Sequence, residues 1–189
     1  MKDKLLKNVV LKKATIEDVP MLMEFQKNVM EEMLNKDMYA PSTEDDFLDA
    51  IRIAQGEVSM LYYGTELIAF ALLNAKPRKE ILDKYQLDDT DGVGIYDSVM
   101  VKKEYRGNKL QVKLTNYIND IAKNKYKLKK VIATVHPENI WSKNNFEETK
   151  YKALKIISIY NSTRIVYVKD LTKKEKKWIF KKIKNIWWK

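Results

Sequence analysis

The sequence contains no cysteine and a single histidine, His136. Without cysteine the chain can form neither a disulfide framework nor a thiolate metal site or nucleophile. One histidine excludes most zinc sites and most Ser-His-Asp schemes. Any chemistry must therefore come from carboxylates, hydroxyl groups or the backbone, and we expect no metal.

The sequence also lacks a long apolar run. No segment approaches the roughly 20 apolar residues that span a bilayer. Residues 1–13 interrupt their apolar side chains with lysines, unlike a secretory signal, so we expect a cytoplasmic protein. A chain of 189 residues suits one domain of the common size. We predict a single domain over residues 1–171, followed by a basic aromatic helix or tail over residues 172–189.

Positive charge is concentrated at the C-terminus. The formal net charge is +10, of which residues 172–189 carry +7, with eight lysines and one glutamate. The +3 that is left for the rest of the chain does not indicate a broad phosphate-binding face, so we do not expect a nucleic-acid partner.

The C-terminal segment combines these lysines with apolar residues at helical spacing, among them Ile179, Ile183 and Trp187. Such a helix could lie on anionic lipid, as a peripheral membrane contact. Alternatively, its apolar stripe packs on the domain or on a second copy in a homodimer, with the lysines in solvent. We favour the packing interpretation, and no RNA-binding motif accompanies the segment.

Apolar spacing and turn residues predict the element order β α α β β β α β α β β. The predicted strands are Val9–Lys13, Val58–Tyr63, Glu66–Leu73, Ile95–Val101, Val131–Val135, Leu154–Tyr160 and Thr163–Val168. The predicted helices run from Thr15 or Asp18 to about Leu34, from a cap at Ser42 to Gly56, from near Leu110, and from about Asn139 to Thr149. Residues 76–93 read as a variable connection. The order indicates an α/β (α+β) fold with a mixed sheet and helices on both faces.

Glycine is scarce, at five residues, and the common phosphate loops are absent. GxxxxGK[ST] does not occur, and Gly92-Val93-Gly94 is followed by Asp97 where GxGxxG needs glycine. A strand and turn nevertheless lead into the helix near Leu110. The free NH groups and dipole of a helix start bind anions whatever the side chains.

Three segments stand out, at residues 99–111, 136–151 and 11–18. Together they resemble the GNAT superfamily of acyl-CoA-dependent N-acyltransferases. Val99-Met100-Val101 followed by the turn at 106–111 is similar to the family's V-x-V strand and [QR]-x-x-G-x-[GA] loop, with Lys109 and Gln111 replacing small residues. Residues 136–151 are similar to its N-x-x-[AS]-x-x-x-[YF] segment, and residues 11–18 to its opening. The resemblance spans residues 9–170.

The resemblance implies the GNAT fold, a mostly antiparallel central sheet of about seven strands that is splayed at the cofactor site. It also implies acetyl-CoA as cosubstrate, with coenzyme A bound by strand, turn and helix residues. The implied cofactor-binding residues are Val99, Met100, Val101, Arg106, Gly107, Asn108, Lys109, Leu110, Gln111, Asn139 and Ser142.

Catalytic residues are harder to assign. Asp97 shares its nominal strand face with Ile95, Val99 and Val101, and an apolar setting would raise its pKa toward that of a usable base. The alternative is a carboxylate hydrogen-bonded at a strand distortion. His136 is a weaker candidate base. The family's usual proton donor is a tyrosine, but the matching position here is Phe146.

The sequence thus predicts an N-acetyltransferase that moves an acetyl group from acetyl-CoA to a primary amine by direct attack on the thioester. The acceptor would be a small molecule or a peptide. The alternative is a GNAT-like module that binds acyl-CoA or a macromolecule without catalysis, as Phe146 and the altered loop would allow.

Overall fold

A computed structural model describes residues 8–52 and 55–173. The strands are β1 (Val9–Lys13), β2 (Gly56–Tyr63), β3 (Glu66–Asn74), β4 (Val93–Val101), β5 (Lys130–Val135), β6 (Lys152–Ile159) and β7 (Ser162–Asp170). The helices are α1 (Val19–Glu31), α2 (Glu44–Arg52), α3 (Lys79–Asp83), α4 (Leu110–Asn124) and α5 (Ile140–Glu148). Short 3-10 turns occupy Ile16–Asp18, Lys36–Met38 and Lys103–Tyr105.

The strands form one seven-stranded sheet in the order β1-β2-β3-β4-β5-β7-β6. Only β4 and β5 pair in parallel, and every other neighbouring pair is antiparallel. A right-handed crossover through a helix is the usual way to join such a parallel pair. The predicted strand number, the mixed sheet and the β4–β5 pairing are confirmed.

The sheet has a core on each face. On one face, α4 and α5 pack over the strands, with Leu114, Ile118 and Phe146 among the buried residues. On the other face, α1 and α2 bury Leu22, Phe47 and their neighbours against β2, β3 and β4. A third cluster lies where α3 meets β4 to β7, and it contains Tyr85, Ile95 and Val166. The predicted helices on both faces are confirmed.

Two helix boundaries differ from those predicted from the sequence. Thr15 and Asp18 form a capping box around the first 3-10 turn, and α1 ends at Glu31 rather than near Leu34. At α2 the reciprocal cap is Thr43 with Asp46: Thr43 N donates to Asp46 Oδ2 at 2.7 Å, and Asp46 N donates to Thr43 Oγ1 at 3.2 Å. The predicted cap at Ser42 is therefore wrong by one residue, because the Thr-x-x-Asp pair satisfies the free helix NH groups.

Three further sequence predictions are corrected. Gly56 does not end a helix but opens β2, where an added Cβ would lie 1.9 Å from Leu73 O. The connection over residues 76–93 contains α3 and the first residue of β4. The last hairpin turns at Tyr160-Asn161, both at positive φ (57° and 54°), as a two-residue type I′ turn requires.

The proposed tail over residues 172–189 lies outside the described residues except for Thr172 and Lys173, so the division of the chain at residue 171 stays a prediction. Within residues 8–52 and 55–173, no helix combines the length and apolar content needed to cross a bilayer.

Candidate active site

The sheet splits between β4 and β5. These strands pair only from Val93 to Ile95, opposite Lys130 to Ile132. Beyond that point β4 continues to Val101 beside β3, while β5 continues to Val135 beside β7. The facing edges of the two strands therefore have no strand partner over their last residues in the described chain. Such an edge offers backbone NH and C=O groups to an extended ligand.

A bulge in β4 determines which side chains face the split. The register with β3 shifts so that Leu72 pairs with Ser98 and Leu73 with Tyr96, which leaves Asp97 as the extra residue. Extra residues of this kind re-aim neighbouring side chains. Val99 packs with the α4 core, whereas Ile95 belongs to the opposite face.

The predicted common face for Asp97, Ile95, Val99 and Val101 is therefore wrong in part. Val99 and Val101 lie on the α4 face. The Asp97 carboxylate accepts a hydrogen bond from Ser42, next to α2 on the other face. Asp97 is thus separated from the two valines by the strand itself.

The turn after β4 leads directly into α4. Gly107 (φ 75°) and Lys109 (φ 58°) both adopt left-handed backbone conformations, and Lys109 is the residue before the helix begins. The bond from Lys113 N to Lys109 O, at 3.0 Å, closes the first turn. The NH groups of residues 110–112 precede any intrahelical partner, so the helix dipole and these donors form an anion site.

Side chains of the turn support its backbone. Arg106 Nε donates to Val101 O at 3.1 Å, and Asn108 Nδ2 donates to Tyr105 O at 3.0 Å. Leu110 is buried and anchors the helix start in the core. The ammonium of Lys109 forms an ion pair with Glu148 on α5. Both partners of that pair are exposed, so it contributes little to stability.

The predicted residues of α4 and α5 come together in one polar cluster. Gln111 Nε2 donates to Ser142 Oγ at 3.2 Å, and Asn145 Nδ2 donates to Gln111 Oε1 at 2.9 Å. Asn139 caps α5, because its Oδ1 accepts a hydrogen bond from Ser142 N at 3.0 Å. The place where motif glycine or alanine was expected is thus occupied by a side chain that joins the two helices.

Trp141 was not singled out from the sequence. It is 82% exposed, and it precedes Asn145 and Glu148 by four and seven residues on α5. That spacing places the three residues on one helix face, and the other two contact Gln111 and Lys109 at the start of α4. An exposed aromatic side chain therefore lies on the α5 face that contacts the start of α4.

Asp97 lies in a polar network on the other face of the sheet. Ser42 Oγ donates to Asp97 Oδ2 at 2.8 Å and also contacts Ser98 Oγ. Burial raises the pKa of Asp97 to about 6, the hydrogen bonds from Ser42 and Ser98 oppose this rise, and the charge of Asp46 adds to it. A carboxylate with this pKa can accept a proton near neutral pH.

Gln26 holds the network in place. Its amide bonds Ser42 twice, through Ser42 N to Gln26 Oε1 at 3.0 Å and Gln26 Nε2 to Ser42 O at 2.8 Å. Both residues are buried. The sequence signal for this contact was Gln26, a polar residue on the buried face of α1. The contact was missed because Ser42 was assigned to a helix cap.

Phe146 is buried among three tyrosine rings. Its ring centroid lies 5.6 Å from that of Tyr96, 5.0 Å from Tyr151 and 6.0 Å from Tyr167. Tyr151 and Tyr167 donate their hydroxyl hydrogens to Asn119 Oδ1 and Glu147 Oε1. Position 146 is therefore a packing position, and it offers no proton.

His136 follows β5, and its Nδ1 accepts a hydrogen bond from Glu138 N at 3.2 Å. That bond belongs to the turn leading into α5, where Asn139 N also donates to His136 O at 2.9 Å. These contacts support a structural role for His136 in the turn. The raised pKa of Asp97 favours Asp97 over His136 as the candidate base.

Residues 23–151 match the model of the acetyltransferase (GNAT) family. An N-acetyltransferase of Staphylococcus aureus Mu50 has a similar structure, with a TM-score of 0.66, 16% identity and coverage of 87% of this chain and 99% of that one. The yncA protein of Salmonella typhimurium, solved with acetyl-CoA, gives a TM-score of 0.65 at 12% identity over 91% of this chain and 97% of that one.

The ribosomal-protein-S18-alanine N-acetyltransferase of Escherichia coli also gives a TM-score of 0.65, at 12% identity, over 91% of this chain and 99% of that one. No curated protein matches the sequence. At these identities the solved structures establish a shared fold and do not identify a shared acceptor.

Proposed function

Because the chain belongs to the GNAT acetyltransferase family, we propose that it transfers an acetyl group from acetyl-CoA to a primary amine. The observation that carries this proposal is the split between β4 and β5, which opens toward the free NH groups at the start of α4. One end of the split suits an extended amide-containing chain, and the other suits a pyrophosphate.

Acetyl-CoA would bind along this path as a substrate. The exposed edge of β4 at Val99, Met100 and Val101 would pair with the pantetheine arm. The turn from Arg106 through Gly107, Asn108 and Lys109 to Leu110 and Gln111 would hold the pyrophosphate, mainly through backbone NH groups. Asn139 and Ser142 at the start of α5 would contact the pantetheine, and Trp141 would stack on the adenine.

Asp97 is the proposed general base. Its carboxylate takes a proton from the acceptor ammonium, directly or through water, and the free amine then attacks the thioester carbonyl. The raised pKa keeps the proton affinity of Asp97 close to that needed near neutral pH, while Ser42 fixes the carboxylate by hydrogen bonding. The acceptor would approach from the face that carries α1 and α2, opposite the α4 face.

Titration calorimetry with acetyl-CoA tests the binding step, for which we expect a micromolar dissociation constant. Absence of binding by any acyl-CoA would contradict the proposal. A panel of small amines, aminoglycosides and peptides with free N-termini then tests transfer, with release of the CoA thiol as the readout. The acceptor that gives the fastest release defines the substrate class.

A second function is favoured by Phe146 and by the side chains at positions 109 and 111. The protein could bind acyl-CoA without transferring the acyl group. Tight acetyl-CoA binding with no CoA release across the amine panel would support this alternative, whereas amine-dependent release would exclude it.

A further inference from the structure

The segment Asp37–Ser42 bridges the two halves of the split sheet. At one end, Arg164 on β7 donates from Nη1 to Met38 O at 3.0 Å and from Nη2 to Asp37 O at 2.7 Å. At the other end, Ser42 donates to Asp97 on β4. Strand β7 belongs to the half that contains β5, and β4 belongs to the other half. The bridging segment therefore crosses the split on the α1 and α2 face.

Arg164 is a buried residue that is anchored to this segment. It is 3% exposed, and within the described residues its two hydrogen bonds go to backbone carbonyls of the bridging segment, while its charge also interacts with Tyr160. Its Nε is buried with no hydrogen-bond partner in the described residues. Burying a charged guanidinium costs free energy unless its hydrogen bonds compensate for the lost hydration. Here those hydrogen bonds fix the backbone at residues 37 and 38.

Tyr39 lies in the middle of the bridging segment, between these two anchors. Its hydroxyl donates to Gln26 Oε1 at 3.3 Å. Burial raises the pKa of Tyr39 well above its usual range, an interaction with the Ser98 hydroxyl opposes the rise, and the nearby Asp97 and Tyr96 add to it. The hydroxyl is therefore close to the bulge of β4, at the point where the split begins.

Other hydroxyls near the site have different partners. Tyr85 and Tyr160 pair with each other, with their oxygens 2.8 Å apart. The Tyr96 hydroxyl faces Thr115 on α4. Tyr39 instead donates to the Gln26 amide that also bonds Ser42 and interacts with the Ser98 hydroxyl, so its hydroxyl belongs to the network around Asp97.

We propose that Tyr39 donates the proton to the departing thiolate of coenzyme A, in place of a tyrosine at position 146, and that Arg164 is the positioning residue that holds the bridging segment over the split. The proposal rests on the proposed function, since it concerns the same acetyl transfer. Tyr39 comes from a different element than α5, so position 146 is free to be apolar.

The amine nitrogen forms a bond to the acetyl carbon, the C–S bond breaks, and the sulfur takes the Tyr39 hydroxyl proton to give the CoA thiol. The ammonium loses two protons in forming the amide. One of them reaches the Tyr39 oxygen from Asp97 through the Ser42 and Ser98 hydroxyls, and the other leaves to solvent.

Binding of CoA and desulfo-CoA by calorimetry between pH 7 and pH 9 tests this role without an acceptor. A donor to the thiolate lowers the pKa of the bound CoA thiol below that of the free CoA thiol. Wild-type protein should therefore bind CoA increasingly well relative to desulfo-CoA as the pH rises, by roughly tenfold. Tyr39→Phe should abolish this increase and leave desulfo-CoA affinity unchanged.

Titration of other groups would not produce the same rise of CoA affinity relative to desulfo-CoA affinity with pH. Asp97 titrates near 6, below the range used; burial holds the pKa of Tyr96 above its usual value; and Arg164 stays charged at these pH values. Burial lowers the pKa of Lys113 on α4 to about 8, and because Tyr39→Phe leaves Lys113 in place, an increase lost in that variant does not come from Lys113.

Tyr85→Phe is the matched control, because it removes another hydroxyl near Asp97 that lies outside the bridging segment. It should keep the wild-type ratio. Arg164→Lys should lose part of the pH-dependent increase while retaining desulfo-CoA affinity. The role is overturned if Tyr39→Phe keeps the full increase, or if wild-type protein shows none. If wild-type protein binds neither ligand, the proposed function itself fails.

Discussion

The two sides of the split sheet are built from different interactions. On the α4 side, the turn at residues 102–111 is exposed or partly exposed except at Leu110, rich in cationic side chains and formed by one continuous stretch of sequence. On the opposite side, Gln26, Ser42 and Asp97 come from three distant segments and form a buried or partly buried network. Exposed ion pairs contribute about 0–1 kcal/mol, whereas buried polar networks are sensitive to every member. Substitutions on the first side should change affinity modestly, and those on the second should change rate and pH dependence.

The largest expected effect is on the rate of Asp97→Asn. Loss of the base should lower kcat by about 100-fold or more, while acetyl-CoA affinity stays within about twofold. In wild-type protein the rate should rise as the pH increases through about 6, because the carboxylate is the active form. Steady-state kinetics with the best acceptor of the amine panel, from pH 5 to pH 9, measures both.

Asp46→Asn is the control for this substitution. Its charge raises the pKa of Asp97, so removing it should move the acid limb to slightly lower pH and keep kcat. Unchanged turnover and an unchanged pH profile in Asp97→Asn would exclude the base role.

The ionised Asp97 carboxylate should lower the free energy of unfolding at neutral pH. The folded-state pKa of about 6 exceeds the unfolded value of about 3.9. The stabilisation from binding this proton is therefore complete below the unfolded pKa and is lost as the pH rises through 6. Asp97→Asn should raise the free energy of unfolding by about 2 kcal/mol at pH 8, and urea unfolding should show this gain disappearing at pH 4. A variant less stable than wild type at pH 8 would contradict the expectation.

A smaller effect is expected at the turn before α4, where two residues adopt left-handed conformations. Lys109→Gly should raise the free energy of unfolding by about 1 kcal/mol, because glycine adopts this conformation without the Cβ penalty. Gly107→Ala should lower it by a similar amount, although no atom of the described residues lies within 4 Å of the added Cβ. Urea unfolding of the pair compares backbone preference at two neighbouring positions.

Lys109→Gly also tests whether the Lys109 ammonium contributes to acetyl-CoA affinity. If the Lys109 ammonium exchanges Glu148 for a phosphate, Lys109→Gly should weaken acetyl-CoA binding about threefold, and added salt should shrink the difference. Tighter binding by the glycine variant would show that the lysine is a strain and not a phosphate contact.

The α4 side of the split was largely predictable from the sequence. Its residues are close in the chain, and the strand, turn and helix over 95–124 follow from local patterns. Gln111 and Ser142 were predicted separately as cofactor-binding residues and lie in contact. Their contact depends on how α4 and α5 pack, which no local pattern specifies.

The other side could be predicted only in part. Asp97 was identified, but the bulge that turns it away from Val99 depends on pairing with β3. The sequence predicts a cap at Ser42 because Ser-x-x-Asp is a capping pattern. The Thr-x-x-Asp pattern that begins one residue later forms the cap instead. Tyr39 and Arg164 carried no sequence signal, since their relation is a long-range contact across the split.

Amide hydrogen exchange with and without acetyl-CoA tests whether the split between β4 and β5 is the acetyl-CoA site. Saturating acetyl-CoA should slow exchange at residues 98–101 of β4 and at residues 110–112 of α4, with little change in β1 or β2. Tight binding that leaves both stretches unprotected, or protects a different face, would contradict it.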